Sequence, residues 1–201
     1  KYIVWRFICL SADVKEVLKM RVISGTAKGL KLDAPDGLDT RPTTDRVKES
    51  MFNIIMPWLP CENALDLFGG SGALGIEALS RGGKSCVFVD NSRKAMEIIK
   101  KNAERARVSG KAKFEQKDVF LYLERCKEKF GVVFLDPPYN CGFLDKVFDI
   151  IQKRDLLCES GIIVAEREAG GEEINNENFE RIKHAKYGKT TVSVFKYKEN
   201  R

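Results

Sequence analysis

The sequence predicts a doubly wound α/β fold: a mostly parallel sheet with a C-terminal antiparallel hairpin and a small N-terminal β-hairpin extension. Three observations predict it. Short apolar runs alternate with helical periodicity between residues 64 and 166, as in βα units around a parallel sheet. A glycine-rich loop directly follows the first of these runs, and two β-like runs occupy residues 179–197. In such a fold, ligands bind beyond the carboxyl ends of the strands.

Three segments precede the alternating pattern. Residues 1–19 do not share its rhythm, so we expect the domain to begin at Met20, and two alternatives stay open for this extension. It is either foreign to the domain or a short helix at 12–19. Residues 21–32 contain two β-like runs around a glycine turn, which predicts a hairpin. A helix is then expected to continue to about Met56, stopped by Pro57.

The alternating region and the last segment follow in order. The predicted elements are a strand at 64–68, a helix at 73–81, a strand at 85–90, a helix at 92–108, a strand at 113–116, a helix at 119–127, a strand at 132–136, a helix at 143–153, a strand at 162–166, and two strands within 179–197 joined at 187–189.

Composition bounds the class of protein. A chain of 201 residues with 43% hydrophobic residues is one globular domain, perhaps with an appendage, and not a disordered chain. The net charge of +6 permits a polyanionic partner without requiring one. Six cysteines without a C-x-x-C pair exclude a zinc ribbon and favour reduced thiols. The apolar run at 2–10 is too short to span a bilayer, so we expect a cytoplasmic protein. We also expect a monomer.

The loop at residues 66–75, Asp-Leu-Phe-Gly-Gly-Ser-Gly-Ala-Leu-Gly, joins a strand to a helix. Residues 70–75 fit G-x-G-x-x-G, and Asp90 lies about 20 residues further on, where a ribose-binding acid belongs. Two interpretations stay open. A nicotinamide dinucleotide would place its pyrophosphate on the helix N-terminus. S-adenosylmethionine has no phosphate but carries an ammonium and a sulfonium group, and Asp66 would face this positively charged end.

Further acids extend the predicted cofactor site. Asp118 follows the third strand and could accept a hydrogen bond from the adenine amino group, beside the backbone of Val119. Each acid also has a structural alternative: Asp66 as a loop cap, Asp90 as a cap of the next helix, and Asp118 as a helix N-cap. The candidate cofactor-binding residues are Arg41, Thr43, Asp66, Phe68, Gly70, Gly72, Asp90, Asn91, Asp118 and Val119.

The run Asp136-Pro137-Pro138-Tyr139 follows an apolar strand and decides between the two cofactors. The prolines stiffen the turn and leave carbonyl oxygens free, so the turn is a cage of hydrogen-bond acceptors. Acceptors can orient the delocalised lone pair of an exocyclic amine for attack on a methyl group. Tyr139 would stack on a flipped base, or else packs within the loop. The candidate catalytic residues are Asp136, Pro137 and Tyr139.

Together these motifs make the chain resemble the amino-directed class I methyltransferases, and more closely the RsmD-type guanine N2-methyltransferases of small-subunit ribosomal RNA. The resemblance covers most of residues 20–197, and its most family-specific part is residues 41–49. The segments that carry it are residues 20–25 (Met-Arg-Val-Ile-Ser-Gly), 41–49 (Arg-Pro-Thr-Thr-Asp-Arg-Val-Lys-Glu), 66–72 (Asp-Leu-Phe-Gly-Gly-Ser-Gly), 136–139 (Asp-Pro-Pro-Tyr) and 187–190 (Tyr-Gly-Lys-Thr).

The resemblance implies a Rossmann-like class I methyltransferase that transfers a methyl group from S-adenosylmethionine to N2 of guanine 966 in 16S rRNA, leaving S-adenosylhomocysteine. The substrate would be a partly assembled 30S subunit. It also implies domains at 20–57, closing over substrate and cofactor, and 58–201, the methyltransferase domain, whereas residues 1–19 depart from the family pattern.

Other functions stay open. The cage alone indicates only a planar amine, so adenine N6 or cytosine N4 of DNA or RNA is an alternative target. A nicotinamide-dependent oxidoreductase and a non-catalytic RNA-binding assembly factor are further alternatives.

Basic residues outside the predicted sheet are candidate RNA contacts, because such charges bind phosphates. The alternative is a solvated surface. His184, the single histidine, lies far from both motifs and is interpreted as structural, so no metal is expected. The candidate RNA-binding residues are Arg21, Lys28, Arg46, Lys186 and Lys189.

Overall fold

The computed structural model describes residues 20–35, 45–137, 142–171, 173–174 and 176–198. The strands are β1 (Asn63–Leu67), β2 (Ser85–Asp90), β3 (Ala112–Gln116), β4 (Phe130–Leu135), β5 (Leu157–Glu168), β6 (Phe179–Tyr187) and β7 (Thr190–Tyr197). The α-helices are α1 (Asp45–Ile54), α2 (Ala73–Ser80), α3 (Arg93–Arg105), α4 (Val119–Arg125) and α5 (Phe143–Arg154), with short 3₁₀ turns at Met56–Trp58 and Ser109–Lys111.

The strands form a single seven-stranded sheet within the described residues, in the order β3-β2-β1-β4-β5-β7-β6. β1 to β5 pair in parallel, whereas β7 is antiparallel to both β5 and β6. The doubly wound sheet with an antiparallel C-terminal hairpin is therefore confirmed. The strand order reverses between β1 and β4, so the crevice for a ligand opens at their carboxyl ends.

Side chains alternate along the strands and build one apolar layer on each face of the sheet. Ala64 and Phe134 lie in the layer that also contains residues of α1, α2 and α3. Leu65 and Leu135, one residue further along β1 and β4, lie in the layer with α4 and α5. Because Val22 of the N-terminal segment is buried in the first layer, residues 20–35 share the core of the sheet.

The segment predicted as an N-terminal hairpin pairs with itself over a short antiparallel stretch around the bridge between Arg21 and Lys31. Val22 N donates to the Leu30 carbonyl at 2.9 Å, and Leu32 N donates to the Met20 carbonyl at 2.8 Å. The amides nearer its turn bind helix α2 instead: Thr26 N donates to the carbonyl of Ser80 at 2.8 Å. Gly25 lets the backbones approach this closely, because a Cβ there would lie 1.9 Å from the Ser80 carbonyl oxygen.

Other differences concern boundaries. β5 begins at Leu157, five residues before the predicted start, and α3 ends at Arg105, three residues before the predicted end. Arg107, just past α3, has a left-handed φ of 58°, which stops the helix. The helix considered at 12–19 lies outside the described residues.

The carboxylate of Glu77 on α2 is the centre of a buried cluster, here called the Glu77 cluster. Its oxygens accept hydrogen bonds from the amides of Ile23 and Ser24, at 2.7 and 2.9 Å. They also lie 3.5 Å from Lys48 Nζ and 2.8 Å from Arg81 Nε. Glu77 and Lys48 are both fully buried. Burial lowers the pKa of Lys48, and Glu77 opposes this shift.

Two further contacts hold the N-terminal segment. The Lys48 ammonium donates to the carbonyl oxygen of Arg21. The buried amide of Asn102 on α3 binds both backbone groups of Asp33 at 2.9 Å and donates to the Ser71 carbonyl at 2.9 Å. Asn102 thus ties the N-terminal segment to the glycine-rich loop as well as to α3.

We predict that Glu77→Gln lowers the free energy of unfolding by about 3 kcal/mol, because it leaves the Lys48 ammonium buried without its counter-charge. Chemical denaturation of wild type and variant measures the difference. Glu62→Gln is the matched control, since Glu62 pairs with Lys84 while both side chains are more than 70% exposed. Its effect should be about 0.5 kcal/mol or less. Equal effects of the two variants would contradict a special role for the Glu77 cluster.

Candidate active site

The glycine-rich loop leaves β1 through three left-handed residues. Phe68, Gly70 and Gly72 have φ values of 62°, 57° and 75°. Gly72 is the N-cap of α2, and its amide donates to the carbonyl of Gly69 at 2.6 Å. A left-handed N-cap without a side chain brings the start of α2 close to whatever occupies the crevice. The loop and helix predicted for residues 66–81 therefore have the expected form.

Asp90 at the end of β2 is joined to this loop. Its carboxylate accepts from the amide of Gly70 at 2.9 Å and from the amide of Ser92 at 2.8 Å. Ser92, and not Asp90, is the N-cap of α3, with its hydroxyl accepting from Ala95 N. Because each carboxylate oxygen has a second lone pair, Asp90 can still accept from the two hydroxyls of a ribose. The neighbouring Asn91 is exposed.

Asp66 lies beneath the loop and not at its mouth. The side chain is 2% exposed and accepts a 2.9 Å hydrogen bond from the amide of Gly75. Burial raises its pKa to about 8; the charges of Asp136 and Asp90 act in the same direction, and the Gly75 amide opposes them. In the structure Asp66 therefore makes the loop-capping contact, which was the alternative to facing the cofactor. Because the side chain is buried beneath the loop, it is not exposed to the crevice.

Asp118 likewise makes the contact of its structural alternative. It is the exposed N-cap of α4, where its carboxylate accepts from the amide of Leu121 at 3.0 Å. Val119, the first residue of the helix, is buried. One carboxylate oxygen of Asp118 makes the cap, so the other oxygen could still accept a hydrogen bond from a ligand amino group.

The acceptor cage begins directly after β4. Asp136 is half-buried and Pro137 is buried. Leu67 pairs with Leu135, so Asp136 follows β4 level with Phe68, two residues beyond Asp66 on the neighbouring strand β1. Burial raises the pKa of Asp136 to about 6. At neutral pH the carboxylate is mostly ionised and can accept hydrogen bonds, while it remains basic enough to receive a proton. Tyr139 lies outside the described residues, as do Arg41 and Thr43.

An aromatic group lies at the same edge of the sheet. Phe68 stacks on Phe143 with ring centroids 6.0 Å apart and planes 7° apart. Phe120 meets Phe143 edge-on at 5.3 Å, and Lys146 Nζ lies 4.0 Å from the centre of the Phe120 ring. The sequence analysis named Phe68 alone. Phe120 lies in the first turn of α4, just after Asp118, and Phe143 is the first residue of α5, the helix that follows Asp136. Their positions after these two acids could have indicated that they belong to the site.

The candidate RNA-binding residues do not form one surface. The turn that carries Lys186 and Lys189 lies beside the end of β5, because the amide of Ala169 donates to the Lys189 carbonyl at 2.8 Å. This is the edge that carries Asp136. Lys28 follows Gly25 and Thr26, which contact the far end of α2, a helix of eight residues and roughly 12 Å. Lys28 is therefore placed toward the opposite edge of the sheet.

Two other candidates, Arg21 and Arg46, lie on the N-terminal segment and on α1. Arg21 is exposed but forms a 2.6 Å ion pair with Asp45, which offsets its charge. Arg46 is exposed on α1. His184 on β6 is exposed and its Nδ1 lies 3.0 Å from the hydroxyl of Ser193, far along the sheet from the glycine-rich loop.

The described residues lack two kinds of feature. None of the helices there is long and apolar enough to cross a membrane. No group of three or more His, Cys, Asp or Glu side chains in this part of the chain could hold a metal ion.

Comparison with known proteins gives a consistent result. Residues 20–196 match the family described as "Conserved hypothetical protein 95". The chain is 42% identical over 182 residues to "Putative rRNA methyltransferase YlbH" of Bacillus subtilis, covering 88% of this chain and 98% of the relative. It is 33% identical over 150 residues to "Ribosomal RNA small subunit methyltransferase D" of Escherichia coli K12, covering 75% of each.

Solved structures agree on the fold. "Putative methyltransferase yhhF" of Escherichia coli superimposes with a TM-score of 0.79 at 30% identity, covering 89% of this chain and 98% of the other. An RNA methyltransferase of Salinibacter ruber, solved with S-adenosyl-L-homocysteine, has a TM-score of 0.62 at 19% identity and covers 80% and 95%. The fold of this chain is that of the class I methyltransferases.

We predict that Asp66→Asn becomes more stable relative to wild type as the pH rises from 5 to 8. The folded carboxyl has a pKa of about 8, against 3.8 for its ordinary value. Between these values only the folded state holds the proton, so wild type loses stability as pH rises, whereas asparagine does not titrate. Melting temperatures of both proteins at pH 5, 6.5 and 8 measure the trend.

Asp118→Asn is the control, because this side chain is exposed and asparagine can make the same helix cap. Its melting temperature should stay close to that of wild type. A constant difference for Asp66→Asn as well would show that Asp66 is ionised in the folded protein.

Proposed function

Since this chain belongs to the family described as "Conserved hypothetical protein 95", we propose that it is an S-adenosylmethionine-dependent methyltransferase of small-subunit ribosomal RNA. The relatives named as rRNA methyltransferases support the reaction and the substrate class. The finer proposal is methylation of N2 of guanine 966 in 16S rRNA, on a partly assembled 30S subunit. That substrate implies action in the cytoplasm, and we propose a monomer.

The observation that carries the proposal is the meeting of two motifs on adjacent parallel strands. The glycine-rich loop leaves β1 and the Asp136–Pro137 cage leaves β4, at the point where the strand order reverses. A cofactor on the loop and a base amine in the cage would therefore be neighbours. This is the geometry that direct methyl transfer between two bound molecules requires.

We assign the cofactor site as follows. Asp90 would accept from the ribose hydroxyls, Asp118 from the adenine amino group, and Phe68 with Phe120 and Phe143 offers an apolar ring surface for adenine. Asp66 would hold the loop through Gly75 without touching the ligand. Arg41 and Thr43 remain predicted contacts.

The electrostatics favour this cofactor over a nicotinamide dinucleotide. The carboxylates of Asp90 and Asp136 follow the strands on either side of β1, and their charges are close enough to raise the pKa of Asp66. The Gly70 amide already donates to Asp90. An anionic pyrophosphate would meet these acids, whereas a cationic sulfonium ligand is attracted by them.

S-adenosylmethionine, when bound, supplies an electrophilic methyl group. The Asp136 carboxylate and the Pro137 carbonyl would accept hydrogen bonds from the target NH₂ group and orient its lone pair toward that methyl. As the N–C bond forms and the C–S bond breaks, positive charge develops on the nitrogen and is stabilised by Asp136. The surplus proton then passes to Asp136 or to water, which a carboxyl with a pKa of about 6 permits.

The RNA side of the proposal uses residues around the same edge. Lys186 and Lys189 lie at the turn beside β5 and would contact phosphates near the target. Tyr139 would stack on the extruded base. The region 20–57 would serve closure over substrate and cofactor, with 58–201 as the methyltransferase domain. Arg21, Lys28 and Arg46 would contact RNA further from the reacting amine, if they contact it at all.

The defining experiment supplies methyl-labelled S-adenosylmethionine together with 30S particles that lack the modification, naked 16S rRNA, or duplex DNA. We expect label on the particles, recovered as N2-methylguanine at one position. Label on N6 of adenine or N4 of cytosine would overturn the guanine assignment. RNA binding without transfer on every assembly intermediate would favour the non-catalytic assembly factor.

We predict that Asp136→Asn lowers kcat roughly 10²- to 10⁴-fold while the Kd for S-adenosylmethionine stays nearly unchanged. The amide can still accept one hydrogen bond, but it neither stabilises the positive charge nor receives the proton. Single-turnover transfer to 30S particles measures kcat, and calorimetry measures binding. Glu159→Gln, an exposed carboxylate on β5, is the control and should keep full activity. Full activity of Asp136→Asn would contradict its assignment.

A further inference from the structure

The side chain of Asn102 contacts the glycine-rich loop, although the proposed reaction gives it no role. Asn102 lies in α3 and is fully buried. Its Nδ2 donates to the carbonyl oxygens of Ser71 and Asp33, each at 2.9 Å, and its Oδ1 accepts from the amide of Asp33 at 2.9 Å. One side-chain amide therefore joins three parts of the chain: α3, the loop and the N-terminal segment.

An amide is suited to these three partners. The two carbonyl oxygens need donors and the Asp33 amide needs an acceptor, and asparagine supplies two N–H groups and one oxygen. A carboxylate has no donor and an apolar side chain has neither group, so either would leave buried backbone groups without a partner. Asn102 uses both of its donors, and one of them goes to the loop.

The bond to Ser71 fixes the start of α2. The Ser71 carbonyl and the Gly72 N–H belong to one planar peptide group. A hydrogen bond that holds the carbonyl therefore also sets the direction of Gly72, the N-cap of the helix. On the other side of Ser71, the Gly70 amide is held by Asp90. The loop is thus anchored by two side chains, one from the end of β2 and one from α3.

Apolar packing alone does not orient this peptide group. Ile99 lies one turn before Asn102 on the same face of α3. A Cβ at Gly69 would be 2.9 Å from Ile99 Cδ1, and a Cβ at Gly72 would be 3.1 Å from Ile99 Cγ2. This contact favours glycine at both positions, and glycine has the greatest freedom in φ and ψ. A loop with such freedom must be ordered when a ligand binds unless hydrogen bonds already hold it, and ordering weakens binding.

Resting on the proposed function, we propose that Asn102 is a positioning residue for S-adenosylmethionine. It acts through Ser71, by holding the glycine-rich loop in the form that binds the cofactor, and it makes the N-terminal segment part of that support. Because coupling between two contacts is reciprocal, bound cofactor also strengthens the contact between Asn102 and Asp33.

Asn102→Ala tests the proposal, with Ser80→Ala as the matched control. Ser80 is also buried, and its hydroxyl binds the same N-terminal segment at the far end of α2: it donates to the Ser24 carbonyl at 2.6 Å and accepts from the Ala27 amide at 3.0 Å. We expect Asn102→Ala to raise the Kd for S-adenosylmethionine, measured by calorimetry, roughly tenfold. Ser80→Ala should leave this Kd unchanged. On 30S particles, Asn102→Ala should raise the KM for the cofactor, while kcat at saturating cofactor stays near the wild-type value.

A second measurement uses wild type alone, so it does not depend on whether a variant folds. Amide hydrogen exchange, followed by NMR, compares Asp33, whose N–H donates to Asn102, with Ala27, whose N–H donates to Ser80. Saturating S-adenosylmethionine should slow exchange at Asp33 roughly tenfold and leave exchange at Ala27 unchanged.

An unchanged Kd in folded Asn102→Ala, or unchanged exchange at Asp33, would overturn this inference and leave the proposed function intact. Equal changes in Kd for the two variants, or equal slowing of exchange at Asp33 and Ala27, would also overturn it. The support would then be a general property of the N-terminal segment. Wild type that fails to bind S-adenosylmethionine would overturn the proposed function as well.

Discussion

The fold depends on one buried carboxylate. Glu77 accepts from two backbone amides of the N-terminal segment and neutralises cations from α1 and from its own helix. Removing so many charged and polar groups from water is unfavourable unless each finds a partner. Glu77 supplies that partner for four donors. It therefore fixes the positions of the N-terminal segment, α1 and α2 relative to one another. Since α2 begins at the glycine-rich loop, the same carboxylate fixes the direction from which the loop meets a ligand.

A second electrostatic theme concerns the opposite end of α2. Asp90, Asp66 and Asp136 lie at the ends of β2, β1 and β4, and burial raises the pKa values of Asp66 and Asp136. Sites that hold like charges at close range usually serve a ligand that relieves the repulsion. A cationic methyl donor and the hydrogen-bond donors of a base edge both do so. The crevice is therefore complementary to its proposed contents before either is bound.

The alternating strands and helices could be predicted because each depends on a pattern within consecutive residues. The strands are short apolar runs, and the helices have apolar residues at helical spacing. The glycine-rich loop and Asp90 were found for the same reason. Contacts between distant elements could not be predicted in this way. Residues 21–32 pair as a short hairpin, but nothing local indicates that the amides of Ile23, Ser24 and Thr26 bind α2. The burial of Asp66 and the meeting of Phe68, Phe120 and Phe143 depend on tertiary packing.

The last strand in the sheet order has a consequence beyond substrate binding. β6 has β7 on one side and no neighbouring strand on the other among the described residues, so its outer backbone groups are open to pairing with another chain. Its exposed side chains include Glu180, Arg181, Lys183 and Lys186, and its register slips between Arg181 and Lys183. Charge and irregularity of this kind deter edge-to-edge aggregation. Lys186, a proposed phosphate contact, thereby also helps to protect this open edge from pairing with a strand of another chain.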